Sequence, residues 1–333
     1  MVSALRIAIL GAARIAAPAL IHPAKDNEHV EIVAIGASSL ARAREFAVVH
    51  AIPFAGTYED VISRDDVDMV YIALPPSAHA EWTLKALAAG KHVFLEKPAT
   101  TTLAEAQAIV GEAHKAGKRL IEAFHYRWHP LFMRAVEVAR SGVLGDLVTA
   151  QAEFSAPIPR NETEFRWRAD LGGGALADLG CYPVHWLRHL AGEEPVVSGA
   201  SQILEPDGID RRSEAQFVFP SGLVSTLIAD IDPQHGERRA FVELVGIKGS
   251  MKLINPIAPQ YGAELILKIN GNETRETFSR RATFAFQLDA IAAAIMSRTA
   301  VLTEGGDIIG NAAAMSAIRN LSSQRFNPRR PTP

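Results

Sequence analysis

Four side chains of one stretch share the spacing of a helical face: Asp178, Tyr182, His185 and His189, at i, i+4, i+7 and i+11. An acid, a phenol and two imidazoles on one face can move protons. The stretch reads Gly172-Gly173-Gly174-Ala175-Leu176-Ala177-Asp178-Leu179-Gly180-Cys181-Tyr182-Pro183-Val184-His185. Its three leading glycines permit close approach of the backbone to another group. Pro183 removes one hydrogen bond from such a helix, and a kink there turns His185 and His189 relative to Asp178. His185 and His189 have the spacing of zinc ligands, but the sequence offers no evident third ligand, so no metal is assigned. His189 reads better as a satisfied core histidine. Tyr182 reads either as a proton carrier or as a core aromatic with its hydroxyl bonded.

A second charged set lies earlier. Lys91-His92-Val93-Phe94-Leu95 is an apolar strand pattern, and Glu96-Lys97-Pro98 follows it directly. Pro98 holds Lys97 in extended geometry. Glu96 and Lys97 therefore stand at the carboxyl end of a strand, where open parallel sheets bind ligands. The same tripeptide also fits an ordinary strand-to-helix turn with a solvated lysine.

The elements that must position these residues fall into two textures. Through residue 123, apolar strands alternate with helical patterns, the signature of βαβ units and a parallel sheet. Strands are expected over 5–10, 30–35, 69–74, 93–95 and 120–123, and helices over 13–25, 40–50, 58–63, 77–87 and 103–116. Ser77 suits an N-cap, and Gly90 and Gly117 suit helix ends. After residue 123 the strands follow one another (147–154, 215–219, 224–230, 241–245, 251–254, 264–269), which argues for an antiparallel sheet. Helices are expected over 130–141, 284–296 and 310–321, with a loose tail. The expected fold class is α/β: a Rossmann-type domain over 1–123, then an α+β domain over 124–333 with a large, mainly antiparallel open sheet.

The whole chain has 333 residues, 48% hydrophobic and 21% charged, with a formal net charge of −3. That balance is ordinary for a globular protein and shows no basic footprint for nucleic acid. A single cysteine, Cys181, excludes an internal disulfide and points to a reducing compartment. No apolar run approaches the ~20 residues of a membrane span. The expectation is a cytoplasmic protein that binds neither nucleic acid nor membrane.

Gly11-Ala12-Ala13-Arg14-Ile15-Ala16 follows the first strand and opens a helix, the context of a dinucleotide fingerprint. Pyrophosphate rests at such a helix start. Alanine replaces the second glycine at Ala13 and the third at Ala16, the latter an accepted change. An NAD site wants an acid after the second strand, but Ala37-Ser38-Ser39 stands there and Glu31 lies at the wrong end. Ser38, Ser39 and Arg42 suit a 2′-phosphate, so NADP is preferred and NAD remains possible. Alternatively, Arg42 and Arg44 form a solvated helix face.

The near-GxGxxG at Gly11, the Glu96-Lys97-Pro98 after a later strand, and the Gly172–His185 stretch together resemble the Gfo/Idh/MocA oxidoreductases along nearly the whole chain. The segment from Glu122 to Pro130 is similar to the family's crossing between domains. Tyrosine rather than histidine four residues after Asp178 is similar to the dimeric dihydrodiol dehydrogenase and NADP-dependent xylose dehydrogenase branch. The resemblance implies Lys97 as catalytic lysine, Tyr182 as proton donor or acceptor, and Asp178 as orienting lysine or substrate. It implies Glu96 at the nicotinamide ribose and Arg168 near the nicotinamide or substrate. Leu74, Pro75 and His79 would border the cofactor, and Tyr126, Arg127, Trp167 and His185 the substrate. Arg127, Arg166, Arg168 and Trp128 also fit interdomain or surface roles. Pro76 stands where the branch often has asparagine, and Ser38 where arginine is common.

The implied reaction explains the lysine. Hydride leaves a carbinol carbon more readily as its hydroxyl proton is removed. A phenol ionises near pH ~10, too high for a base at neutral pH. A nearby ammonium favours the phenolate and, in reverse, steadies a developing alkoxide. The expected substrate is a secondary alcohol or ketone of a sugar, polyol or cyclic diol. The family also holds nucleotide-retaining glycosidases and non-enzymatic regulators, which remain alternatives here. A homodimer or homotetramer through the second sheet is expected, because one broad face would otherwise be bare.

Overall fold

The computed structural model describes residues 4–161 and 163–325; the tail at 326–333 lies outside the described residues. The chain divides into two compact units. One runs through His129 and includes Arg281–Ile309; the other is Pro130–Arg280 with the chain from Gly310 onward.

The first unit is built on six parallel strands: β1 (Leu5–Leu10), β2 (Val30–Gly36), β3 (Phe54–Gly56), β4 (Met69–Ile72), β5 (His92–Leu95) and β6 (Leu120–Glu122). Their order is β3-β2-β1-β4-β5-β6. β4 is buried along its whole length, as strands covered on both faces must be. The order reverses between β1 and β4, which makes their carboxyl ends the switch point of the sheet. β3 is three residues long and carries too little pattern to be read from sequence.

The helices show where local rules compete. The first was expected from Ala13. Instead Gly11 to Ala16 turns, a π-turn occupies Ala17–Ile21, and α1 (His22–Lys25) follows. Pro18 thereby falls in the first turn, where its missing N–H costs little. α2 (Leu40–His50) is capped by Ser39, and α3 (Tyr58–Ile62) by a Thr57–Asp60 capping box. Ser77 does not cap α4 (Pro76–Ala88). Pro75 holds the cap position and Pro76 the first helical one, because its fixed φ already suits a helix start. α5 (Leu103–Ala116) opens on a Thr102–Glu105 capping box and closes on Gly117 at φ 61°.

Residues from the far end of the chain complete this unit. α8 (Thr283–Ser297) contributes Leu288, Ile291 and Ala292 to the core that holds Ile7, Ile9 and Leu20. Asn27 Nδ2 donates to Asp289 Oδ1 at 2.9 Å. Arg119 forks onto Glu304 at 2.7 and 2.8 Å.

His92 links this edge of the sheet to pH. Its Nδ1 accepts the Arg119 N–H at 2.9 Å. Burial, then the Lys118 and Arg119 charges, push its pKa from 6.5 down to about 4. The unfolded chain binds a proton below 6.5 that the folded chain refuses. His92 therefore contributes stability above that pH and loses it as pH falls toward 4. After allowing for solvent at the ring, the loss is of order 2 kcal/mol. His92→Asn keeps an acceptor for Arg119 and should flatten this acid limb. Urea titrations at about pH 4.5 and about pH 7.5 check it; an unchanged limb in the variant removes the account.

The second unit carries an eight-stranded sheet ordered β14-β13-β12-β11-β7-β10-β9-β8. Its strands are β7 (Leu147–Ser155), β8 (Val196–Leu204), β9 (Asp210–Val218), β10 (Val224–Asp230), β11 (Arg239–Gly246), β12 (Gly249–Ile254), β13 (Glu264–Ile269) and β14 (Asn272–Glu276). Only the β7–β10 pair is parallel. Burial alternates along β9 and β10, so one face is covered and one is open. α6 (Pro130–Arg140) and α7 (Cys181–Ala191) pack on this sheet, and α9 (Gly306–Arg325) ends the described chain. Two edge strands escaped the sequence reading. β8 is broken by register shifts at Val197/Gly199 and Ile203/Leu204. β14 is an exposed polar strand fixed by its hairpin turn, with Asn270 at φ 52° and Gly271 at φ 79°. Among the described residues no helix is long and apolar enough to cross a membrane.

Candidate active site

In the first unit, the residues of interest hang from the carboxyl ends of β1, β2, β4 and β5. Gly11 leaves β1 at φ 108°, and a Cβ there would lie 2.4 Å from the Ala73 carbonyl oxygen. The exit of β4 thus demands glycine, whatever is bound. Ala13, Arg14 and Ile15 lie in the turn before the first helix, where Ala13 N donates to Gly11 O at 2.8 Å.

At the end of β2, Ser38, Ser39 and Arg42 come together. Ser39 Oγ accepts the Arg42 N–H at 3.4 Å, and Arg42 Nη1 donates to Ser38 Oγ at 3.3 Å. All three are exposed. Glu31 lies at the start of β2, opposite Arg6. A guanidinium and two hydroxyls without a carboxylate form an anion-binding set.

The loops after β4 and β5 are tied together by His79. Its ring is buried, with Nε2 at 2.8 Å from Leu74 O and Nδ1 at 2.9 Å from Pro98 O. Burial pushes its pKa down. One imidazole thus fixes both the Leu74-Pro75 exit and the turn that carries Lys97.

That turn is held along its length. Glu96 Oε1 accepts the Tyr71 hydroxyl at 2.6 Å, and Glu96 Oε2 lies 3.3 Å from the Lys97 N–H. The Lys97–Pro98 peptide is cis. Ala99 N donates to Glu122 Oε1 at 2.7 Å, and Thr100 Oγ1 to Thr102 O at 2.8 Å. Tyr71 and Glu122 were not singled out from sequence; each sits inside an apolar strand pattern, and only strand pairing shows what its polar end meets. Tyr126 and Arg127 are buried in a 3-10 turn, His125–Trp128. His125 Nδ1 is 2.7 Å from Thr283 Oγ1.

In the second unit, the glycine-rich stretch opens as a π-turn, Leu176–Gly180, and continues as α7. The wide turn comes just ahead of Pro183, which sits near the start of α7, where the missing donor is tolerated. Gly174, at φ 110°, explains part of the glycine run: a Cβ would lie 2.0 Å from Asp210 Oδ1. Asp210 in turn accepts the Leu176 N–H at 2.7 Å and the Ser213 hydroxyl at 2.6 Å. The glycines therefore seat the helix start on β9.

Tyr182 is 5% exposed and meets Phe154 edge-on, with centroids 5.6 Å apart, and Trp186 at 6.3 Å. His185 is fully buried, and its ring lies 4.0 Å from that of His189. Asp178 is bound by Arg166, whose Nη1 also reaches Glu164 Oε1 at 2.7 Å. Arg168, two residues on, is exposed and paired with Asp170. Two arginines flank Trp167, and sequence alone does not say which one turns inward; the short 3-10 turn Phe165–Trp167 decides it. Trp167 itself is buried, with Nε1 donating to Ile158 O at 3.2 Å.

Known proteins share both halves. Residues 5–124 match the model of an oxidoreductase family with an NAD-binding Rossmann fold, and residues 132–252 match the GFO/IDH/MocA C-terminal domain. The chain is similar to dTDP-3,4-didehydro-2,6-dideoxy-alpha-D-glucose 3-reductase of Saccharopolyspora spinosa, with 32% identity over 94% of this chain and 96% of that one. It is 33% identical to D-xylose 1-dehydrogenase (NADP(+)) 2 of Haloferax volcanii, over 86% of this chain and 88% of that one. Among solved structures, it resembles a 3-ketoreductase of Actinomadura kijaniata in complex with NADP and TDP-benzene. There the TM-score is 0.88 and the identity 27%, over 96% of this chain and 98% of that one. With both halves matched and its sheet order and motifs in place, the chain belongs to the GFO/IDH/MocA family of oxidoreductases.

Proposed function

We propose that this protein is an NADP-linked oxidoreductase that interconverts a secondary alcohol and a ketone on a sugar, polyol or cyclic diol. The observation that carries this reading is the lysine turn at the end of β5, bonded at Glu96, Ala99 and Thr100 beside the switch point of a six-stranded parallel sheet. The xylose dehydrogenase relative is named for NADP(+), and the 3-ketoreductase was solved with NADP. That 3-ketoreductase was also solved as single tyrosine-to-phenylalanine and lysine-to-alanine variants, the residue types proposed here.

The donor set at Ser38, Ser39 and Arg42 fits a 2′-phosphate, and Gly11, Ala13, Arg14, Ile15, Leu74 and Pro75 flank the switch point where a dinucleotide lies. When bound, the dinucleotide supplies the hydride acceptor or donor. Glu96, already steadied by Tyr71, is assigned to the ribose. Tyr182 takes the carbinol proton on its phenolic oxygen and returns it in the reverse direction. Lys97 supplies the positive charge that favours phenolate and steadies a developing alkoxide. Asp178, pinned by Arg166, is assigned to orientation of the substrate hydroxyl. His185, Trp167, Tyr126 and Arg127 are the substrate-side candidates, and Arg168 remains a cofactor-side one. We also assign a dimer or tetramer to the open sheet face. Size-exclusion chromatography that gives a stable monomer sinks that assignment.

The test is absorbance of reduced nicotinamide as NADP⁺ or NAD⁺ meets a panel of aldoses, inositols, cyclic diols and nucleotide-linked sugars. Repeated turnover supports the reading. Release of a cleaved glycoside without net reduced cofactor would replace it with a hydrolytic one.

A further inference from the structure

We infer that Glu122 is a positioning residue for Lys97: its carboxylate fixes where the lysine turn stands relative to the sheet. The inference rests on the catalytic role proposed above for Lys97.

β5 pairs with β4 and β6 as far as Leu95. The strand closes with Glu96 N donating to Ile72 O at 3.0 Å and Leu95 O accepting the Ala123 N–H at 2.8 Å. Lys97, Pro98 and Ala99 stand past these rungs, so side chains rather than the ladder set the place of the turn. The contact of Glu96 Oε2 with the Lys97 N–H is internal to the turn and would move with it. Two bonds reach the turn from other elements. His79, on α4, meets Pro98 O, and Glu122, at the end of β6, accepts the Ala99 N–H at 2.7 Å.

Glu122 is anchored on both sides. Leu95 is its register partner on β5, and its own N–H donates to Thr303 O at 2.8 Å on the other edge. Ile121, one residue back, bridges to Glu304. Glu122 is 2% exposed and Ala99 3%. A carboxylate that deep is costly unless its hydrogen bonds offset the lost water. An apolar residue would complete β6 as well, but it would leave the Ala99 N–H unmet.

Pro98 carries the effect to the lysine. Its ring locks φ, which leaves few torsions between the bonded Ala99 N–H and Lys97. A shift at Ala99 therefore passes to the lysine instead of being absorbed on the way. Misplacing a reacting group by about 1 Å can cost about 10²-fold in rate.

Two variants separate reach from charge. Glu122→Asp keeps the charge and shortens the arm; Glu122→Gln keeps the reach and an acceptor oxygen and drops the charge. With an alcohol that the parent oxidises, Glu122→Asp should lower kcat by about ten- to a hundredfold. Its pH limb should move up by about one unit, because a displaced ammonium favours phenolate less. KM for NADP⁺ should stay within about twofold. Glu122→Gln should keep kcat within about threefold, with the limb in place. In a Lys97→Ala background Glu122→Asp should cost nothing further, since the group it positions is gone. Amide exchange over residues 96–101 gives the same contrast without turnover: faster in Glu122→Asp, parent-like in Glu122→Gln.

An equal loss from Glu122→Asp in the Lys97→Ala background makes Glu122 a structural acid and overturns the inference. So does parent turnover in Glu122→Asp, a loss confined to Glu122→Gln, or thermal denaturation showing that neither variant folds. If Lys97→Ala is itself impaired, these outcomes leave the redox reading standing. Parent turnover in Lys97→Ala, or no oxidation of any alcohol by the parent, counts against the redox reading and takes the inference with it.

Discussion

Tyr182→Phe should lower kcat by about 10²–10⁴-fold, the usual contribution of a positioned proton carrier. Nucleotide affinity should stay within about twofold, because the cofactor candidates lie on other elements. The substitution removes one oxygen and keeps the ring, so the contacts with Phe154 and Trp186 survive. A loss of turnover is then a loss of chemistry and not of packing. Under the proposed roles, Lys97→Ala should cost a similar factor and should also move the pH profile, because an ammonium assigned to favour phenolate would be lost. Lys97→Met keeps the apolar stem and separates charge from packing. If Tyr182→Phe turns over at the parent rate, the proton belongs elsewhere on the helix, and His185, three residues on and fully buried, becomes the group to test.

The parts of this molecule legible in its sequence are those that local chemistry specifies. Strands β1, β2 and β4 announce themselves as apolar runs between turn residues, and the Thr102–Glu105 capping box fixes the start of α5. The second sheet reads as alternation. What stayed hidden depends on contacts between distant residues. Nothing in the pattern of α8 tells that its apolar face lies on the Rossmann core, since an apolar stripe does not name its partner. His79 reads as one more residue near a cofactor loop until the two carbonyls that flank it are seen. Arg166 and Arg168 are equivalent in sequence, yet one grips a buried acid and the other an exposed one. Gly174 invites a ligand-binding interpretation, but a buried carboxylate from β9 already fills the space a side chain would need. Local rules thus placed the candidate catalytic residues on their elements, while the separate bonding networks around the Lys97 turn and around Asp178 became visible only in the fold.

The second large effect concerns the choice of cofactor. Arg42→Ala should raise KM for NADP⁺ by about ten- to a hundredfold, the worth of one or two hydrogen bonds to a charged group, and leave KM for NAD⁺ nearly unchanged. Arg42 is the only formal charge in the Ser38–Ser39–Arg42 cluster, and a 2′-phosphate is the only part of NADP that NAD lacks. The cluster is exposed, so the preference should shrink as salt is raised and screening sets in. Ser39 is the wrong residue to remove. Its hydroxyl caps α2, and alanine there would cost about 1 kcal/mol of helix stability, which confuses binding with folding. Ser38→Asp is the complementary change, placing a carboxylate where it can accept a ribose hydroxyl and repel a phosphate. Together with Arg42→Ala it should turn the enzyme toward NAD⁺. Initial rates with both nucleotides at two salt concentrations decide the matter. If Arg42→Ala weakens NAD⁺ and NADP⁺ alike, the arginine holds some part common to both, and the hydroxyl–guanidinium cluster is not what selects the phosphate.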